Sequence, residues 1–223
     1  MSSAEAVSDE MASMLSTCSV RRLWSEQDQG PYHRDAQPTR RDVVEDREGV
    51  ALQLGIRLAT EDGPRPLHGA VVEIWQCDAL GRYSGFPPPR SAEVTAENSA
   101  RVEYVSGQTF LRGSQRSDPA GMVEFGTIYP GWYPGRTVHI HLMVHVDDVV
   151  LTSQLYFPEH VNNHVLALEP YAERPGRDTT NDTDEIFPTG GDPAVLDVRP
   201  VGSGHRAAVC LIVPAPNPGD SRG

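Results

Sequence analysis

The chain has 223 residues, with 19 Lys+Arg against 31 Asp+Glu and a formal charge of −12. That length holds one large β domain or two small ones with a real core. The negative balance argues against nucleic acid or an anionic membrane as partner, because phosphate binding needs local positive charge. There is no lysine, which excludes Schiff-base and lysine-base chemistry. Gly 20 and Pro 19 fit many short strands and turns better than a helical bundle.

At the N-terminus, Met11, Met14, Leu15 and Cys18 fall at i, i+3, i+4 and i+7. Residues 8–18 are therefore either a short amphipathic helix or a frayed tail whose periodicity is chance. The start lacks the basic and apolar regions of a secretory signal, and no stretch approaches 18 apolar residues. Residues 24–48 are polar and turn-rich and read as an arm over the domain. Strands then follow at 50–59, where Val50, Leu52, Leu54, Ile56 and Leu58 share a face, and at 69–79, 108–114, 121–128, 138–146, 151–157 and 207–213. Short β-branched runs separated by Gly, Pro and Asp predict an all-β sandwich. Residues 158–206 hold few clear strands and read as a long functional loop or a subunit contact. The expected division is an N-terminal tail at 1–27, one domain at 28–214 and a disordered tail at 215–223. Cys18, Cys77 and Cys210 are odd in number and widely spaced. They predict neither a disulfide framework nor a zinc site, and hence a reducing, cytoplasmic setting.

The sharpest local feature is His139-Ile140-His141. Residues i and i+2 of a strand point to one face, about 6.6 Å apart, so two imidazoles there can converge on one metal ion. His145 shares the face but lies about 13 Å along, which suits a rim position. No carboxylate stands where a two-His-one-carboxylate Fe(II) site would need it. The nearby donors are phenols: Tyr129, Tyr133 and, earlier, Tyr83. Phenolate suits a hard, highly charged ion such as Fe(III). Trp132 reads as pocket wall or core, and Tyr32 and His33 as substrate contacts or arm packing. Asp78 and Asp118 stand in turn contexts that explain them without catalysis.

Residues 69–85 (GAVVEIWQCDALGRYSG), 109–144 (TFLRGSQRSDPAGMVEFGTIYPGWYPGRTVHIHLMV) and 152–159 (TSQLYFPE) resemble the intradiol ring-cleavage dioxygenases. So do 30–46, 181–187 and 207–213, and the similarity covers roughly 28–214. The resemblance implies a sandwich of two mixed β-sheets with long loops and an N-terminal arm, carrying non-haem Fe(III). It implies metal ligation by Tyr83, Tyr133, His139 and His141, with Tyr83 and His139 equatorial and Tyr133 and His141 axial. It makes Arg136 the cation that stabilises the substrate ring as charge develops, and lines the site with Gln154. Tyr133 would leave the metal and accept a substrate proton. The implied partners are a catechol and O2, both of whose atoms enter between the hydroxyl-bearing carbons to give a cis,cis-muconate-type diacid. A homo-oligomer, a dimer in the simplest case, is also expected. Two departures stand out: Gln76 occupies a position where many relatives have His, and only five residues separate Tyr133 from His139. The short connection predicts a wide pocket with no strong demand for a substrate carboxylate. The competing readings are a non-enzymatic β-sandwich binding module and a cupin-type metalloenzyme.

Overall fold

The computed structural model describes residues 6–18, 20–22, 27, 29–35, 37–61, 65–87, 107–187 and 194–213. The expected tail at 215–223 lies outside the described residues. The elements in chain order are α1 (Asp9–Thr17), β1 (Val20–Arg22), β2 (Ala51–Thr60), β3 (Val71–Trp75), β4 (Arg112–Arg116), β5 (Met122–Ile128), β6 (His139–Val146), β7 (Val149–Tyr156), α2 (Glu159–Val165), β8 (Ala194–Val195), β9 (Asp197–Val201) and β10 (Gly204–Val213). They form two mixed sheets, β1-β10-β2-β5 with β9 also on β10, and β4-β3-β6-β7-β8. The expected sandwich is the observed architecture.

Alternation along each strand explains the layers. Leu52, Leu54, Ile56 and Leu58 of β2 and Ala207, Val209 and Leu211 of β10 face inward. They meet Val72 and Ile74 of β3, Ile140, Leu142 and Val144 of β6, and Leu151 and Leu155 of β7. The other face of the second sheet carries Trp75, His139, His141, Gln154 and Tyr156. Register alone aligns them: His141 pairs with Trp75 on one side and Gln154 on the other, and His139 pairs with Tyr156. The arm and loops cover this face.

On the outer face of the first sheet, the Met11-Met14-Leu15 stripe forms the buried side of α1 and packs on Met122, Ala208 and Cys210. A Cβ at Gly55 would fall 2.1 Å from the Met11 sulfur, so the glycine leaves the room that the Met11 side chain fills against β2. Buried Glu124 accepts hydrogen bonds from the Ser8 N–H and hydroxyl and pairs with Arg41, which anchors the start of α1.

The structure corrects three sequence expectations. Cys18 and Cys210 are joined by a disulfide, and Cys77 alone is free and buried. The pairing spans 192 residues, and it arises because β1 joins β10 in parallel, with Val20 opposite Cys210. Second, the strand expected at 108–114 starts at Arg112, because Leu111 takes a positive φ of 56° just before it. Third, residues 158–206 hold α2, a 3-10 turn at Tyr171–Glu173, β8 and β9. Among the described residues no helix is long and apolar enough to cross a membrane.

Candidate metal centre

Tyr133-Pro134-Gly135-Arg136 closes a tight turn. The Arg136 N–H donates to the Tyr133 carbonyl at 3.3 Å, and Gly135 has φ +81°. Proline second and a positive-φ glycine third are what a type II turn demands. Tyr133 and Arg136 thus stand at the two ends of one turn, and three residues later His139 opens β6. Tyr83 follows a second turn, in which the Asp78 carboxylate accepts the N–H groups of Leu80 and Arg82. The two loops nest closely. A Cβ at Gly81 would lie 2.3 Å from the Trp132 carbonyl oxygen, and one at Gly131 would lie 2.4 Å from that of Ala79. Only glycine permits this approach, and it brings the Tyr83 and Tyr133 rings to 5.7 Å between centroids.

Four side chains converge there. The Nε2 atoms of His139 and His141 are 3.1 Å apart, and the Tyr133 hydroxyl is 3.3 Å from His139 Nε2. The rings of Tyr83 and His141 are 6.0 Å apart. His139 Nδ1–H donates to the Thr137 carbonyl at 2.7 Å, so Nε2 carries the lone pair and accepts from the Tyr133 hydroxyl. His141 stacks flat on Trp75 at 4.8 Å. All four are buried, and the Tyr83 hydroxyl has no hydrogen-bond partner of good geometry among the described residues.

Burial, reinforced by the Arg136 charge, pushes His139 down to about 3. Burial, then His139 and Arg136, hold His141 well below its ordinary value. Burial likewise raises both phenols, against the pull of Arg136. The protein alone therefore presents two neutral imidazoles and two neutral phenols. The Tyr83 hydroxyl and His141 Nδ1 are both buried without a well-aligned partner among the described residues, which is costly. A highly charged cation would use the two imidazoles and the two phenol oxygens and would ionise the phenols. Two nitrogens and two phenol oxygens suit a hard ferric ion.

Residues 25–173 match the family model described as Dioxygenase. The chain belongs to the intradiol ring-cleavage dioxygenase family. It is 26% identical over 159 residues to the protocatechuate 3,4-dioxygenase beta chain of Burkholderia cepacia, covering 66% of this chain and 60% of that one. To the 6-chlorohydroxyquinol 1,2-dioxygenase of Cupriavidus pinatubonensis it is 31% identical, covering 52% and 43%. Less than two thirds of either curated relative is therefore spanned. The solved intradiol ring-cleavage dioxygenase of Tetranychus urticae matches with a TM-score of 0.77 at 30% identity, over 88% of this chain and 95% of that one. Membership implies a non-haem iron.

Around this cluster the other expected residues fall as follows. Arg136 and Gln154 lie together: Arg136 Nη2 donates to Gln154 Oε1, which also accepts from the Tyr156 hydroxyl at 3.2 Å. The Gln154 amide nitrogen is buried and unpartnered. Tyr129 points into the core and donates to Asn162 at 2.7 Å, so it is not among the converging phenols. His145 lies away from the cluster and meets Glu73 at 3.1 Å. His33 lies 3.7 Å from the same carboxylate and edges against Trp75. Tyr32 stacks on Tyr83 at 4.3 Å, so the arm roofs the site. Trp132 packs with the core and donates to the Arg174 carbonyl. Gln76 is buried and bonds to the Ile128 carbonyl and the Thr127 hydroxyl, tying β3 to β5.

Sequence reasoning missed Asp184 and Arg112. Asp184 binds Arg136 Nε and the Thr137 N–H. Arg112 is fully buried and donates to the Tyr32 carbonyl and to the hydroxyl and carbonyl of Ser84. It fastens the arm to the residue after Tyr83. An arginine in LRG carries no local signal, because its partners lie tens of residues away, and an aspartate in NDTDE shows only the local turn it closes with Ile186 and Phe187, not the distant Arg136 and Thr137.

Proposed function

We propose that the chain cleaves a catechol between its two hydroxyl-bearing carbons, with both atoms of O2 entering a cis,cis-muconate-type product. The observation that carries this reading is the buried cluster in which the Tyr133 hydroxyl and His141 Nε2 both lie against His139 Nε2, with the Tyr83 ring packed beside them and its hydroxyl lacking a well-aligned partner. Those four side chains would hold Fe(III). The ion would supply charge that ionises phenols, a catechol's included, and a route for electron density from the ring to O2.

The chain's own groups do the rest. Tyr133 Oη, bonded to His139 Nε2 when neutral, would give up its proton in holding the ion and could take one of the two that a catechol loses. Arg136 sets positive charge beside Tyr133, where negative charge grows on the ring, and it costs no reorganisation because its neighbours already fix it. Gln154 offers its unused amide N–H. Trp75, Tyr32 and Phe86 exclude water, which strengthens each of these interactions. Arg136 serves the ring and is neutralised by Asp184, so we infer broad tolerance among catechols without a dedicated carboxylate site. A binding module would have no use for such a clustered donor set.

The catalytic unit is taken as 28–214, preceded by a segment whose helix docks on the first sheet. A homo-oligomer remains the expectation, and light scattering tests it. A reducing, cytoplasmic setting and the Cys18–Cys210 link pull in opposite directions, since such links persist in oxidising compartments.

The test is iron content and oxygen uptake. Wild type should bind about one iron per chain, show a red-brown phenolate-to-iron band and consume O2 with catechols. His139→Ala should lose metal and colour. Stoichiometric iron with full colour in that variant would defeat the ligand assignment.

A further inference from the structure

We propose that Asp184 is the positioning residue that aims the Arg136 guanidinium at the substrate, an inference that rests on the ring-cleavage reading. The Asp184 side chain is fully buried. Its Oδ2 accepts from Arg136 Nε at 2.9 Å and from the Thr137 N–H at 2.7 Å. Its Oδ1 accepts from the N–H groups of Ile186 and Phe187 at 2.8 and 3.0 Å. Four donors hold the carboxylate in one orientation.

That orientation passes to Arg136. A guanidinium is planar, so two fixed nitrogens fix the third. Asp184 holds Nε and Gln154 holds Nη2, while Nη1 makes no hydrogen bond among the described residues. The Arg136 side chain is 15% exposed, so the remaining donor is within reach of an entering molecule. Arg136 stands at the end of the turn opened by Tyr133, so the charge lies next to the proposed metal ligand. The segment 178–187 wraps the same connection: Asp178 accepts from the Gly135 N–H, and Asn181 from the Thr137 hydroxyl. A residue 48 positions away in sequence thus sets the direction of the charge. A merely structural Asp184 would clasp the loop and nothing more; a positioning Asp184 acts through Arg136.

The experiment compares kcat and KM for catechol in wild type, Asp184→Asn, Arg136→Lys, Arg136→Met and the Asp184→Asn/Arg136→Met double variant. Iron content, the visible phenolate band and thermal unfolding are read alongside. Asp184→Asn should lose about 100-fold in kcat/KM, chiefly in kcat, while keeping iron and the band. Added to Arg136→Met, the same change should cost less than about threefold, because the group it orients is gone. Arg136→Lys keeps the charge but not the fork, and should fall about as far as Asp184→Asn. Additive losses in the double variant, or an Asp184→Asn enzyme with wild-type kcat, would overturn the proposal. If Asp184→Asn does not fold, Arg136→Lys decides, and near-wild-type kcat there would overturn it. A wild type inactive on every catechol would defeat the ring-cleavage reading itself, whereas an active wild type with an indifferent Asp184 defeats this proposal alone.

Discussion

Reducing the Cys18–Cys210 bond, or replacing both residues by Ala, removes a link that closes a span of 192 residues. The chain-entropy argument assigns closure of so long a loop about 5 kcal/mol, and measured values usually run lower, about 2–4 kcal/mol. The folded state gives little back when the link is cut. Met11, Met14 and Leu15 still pack on Met122 and Ala208, and Glu124 still holds Ser8. The loss should therefore appear almost wholly as a more favourable unfolded state. For a domain of this size that corresponds to a fall in Tm of about 10 °C. Denaturant unfolding with and without reductant, followed by far-UV circular dichroism, measures it. A thiol count on unreduced, denatured protein runs beside it and should find only Cys77. Three thiols in that count, or identical unfolding in both conditions, would refute the reasoning.

Gly30 sits at φ +72°, and a Cβ there would lie 3.2 Å from His141 Cε1, while Trp75 stacks against the same ring. Gly30→Ala should cost about 1–2 kcal/mol in backbone strain and lower iron content; unchanged metal loading would count against His141 as a ligand. Glu159 is partly exposed, and burial works to raise its pKa. Hydrogen bonds from Arg177 and the Asn181 N–H outweigh that and hold it below the ordinary value. A carboxyl lowered on folding stabilises above its unfolded pKa and loses that contribution as pH falls through the folded one. Glu159→Gln should thus be less stable at pH 7 by at most about 1 kcal/mol, with the gap closing in acid below about pH 4; a gap that persists there would contradict the sign.

The strands legible in sequence are those with one apolar face, such as β2, and those carrying a chemical oddity, such as β6. β9 (Asp197–Val201) was not legible because it lies at a sheet edge, is mostly exposed and contains Pro200, so no alternation marks it. The stripe in α1 was visible, but a short helix gains its stability from docking, and nothing local shows the Gly55 groove that receives it. Of the three phenols near the His pair, the turn at Tyr133 brings one to the imidazoles, whereas Tyr129 turns to Asn162. Asp184 lies in the polar run RDTTNDTDE, where nothing local singles it out from its neighbours. Its four donors come from backbone and from a residue far upstream, and only the folded chain reveals them. The disulfide was hidden for the same reason: spacing says nothing about a parallel pairing across nearly the whole chain.

The proposed chemistry places oxygen between the two hydroxyl-bearing carbons of a catechol. Mass spectrometry of the product formed under heavy-isotope O2 tests it most directly. The expected product is an acyclic cis,cis-muconate-type diacid carrying both labelled atoms, one in each new carboxyl group. A semialdehyde from cleavage beside the diol, or a diacid with label from water alone, would contradict it.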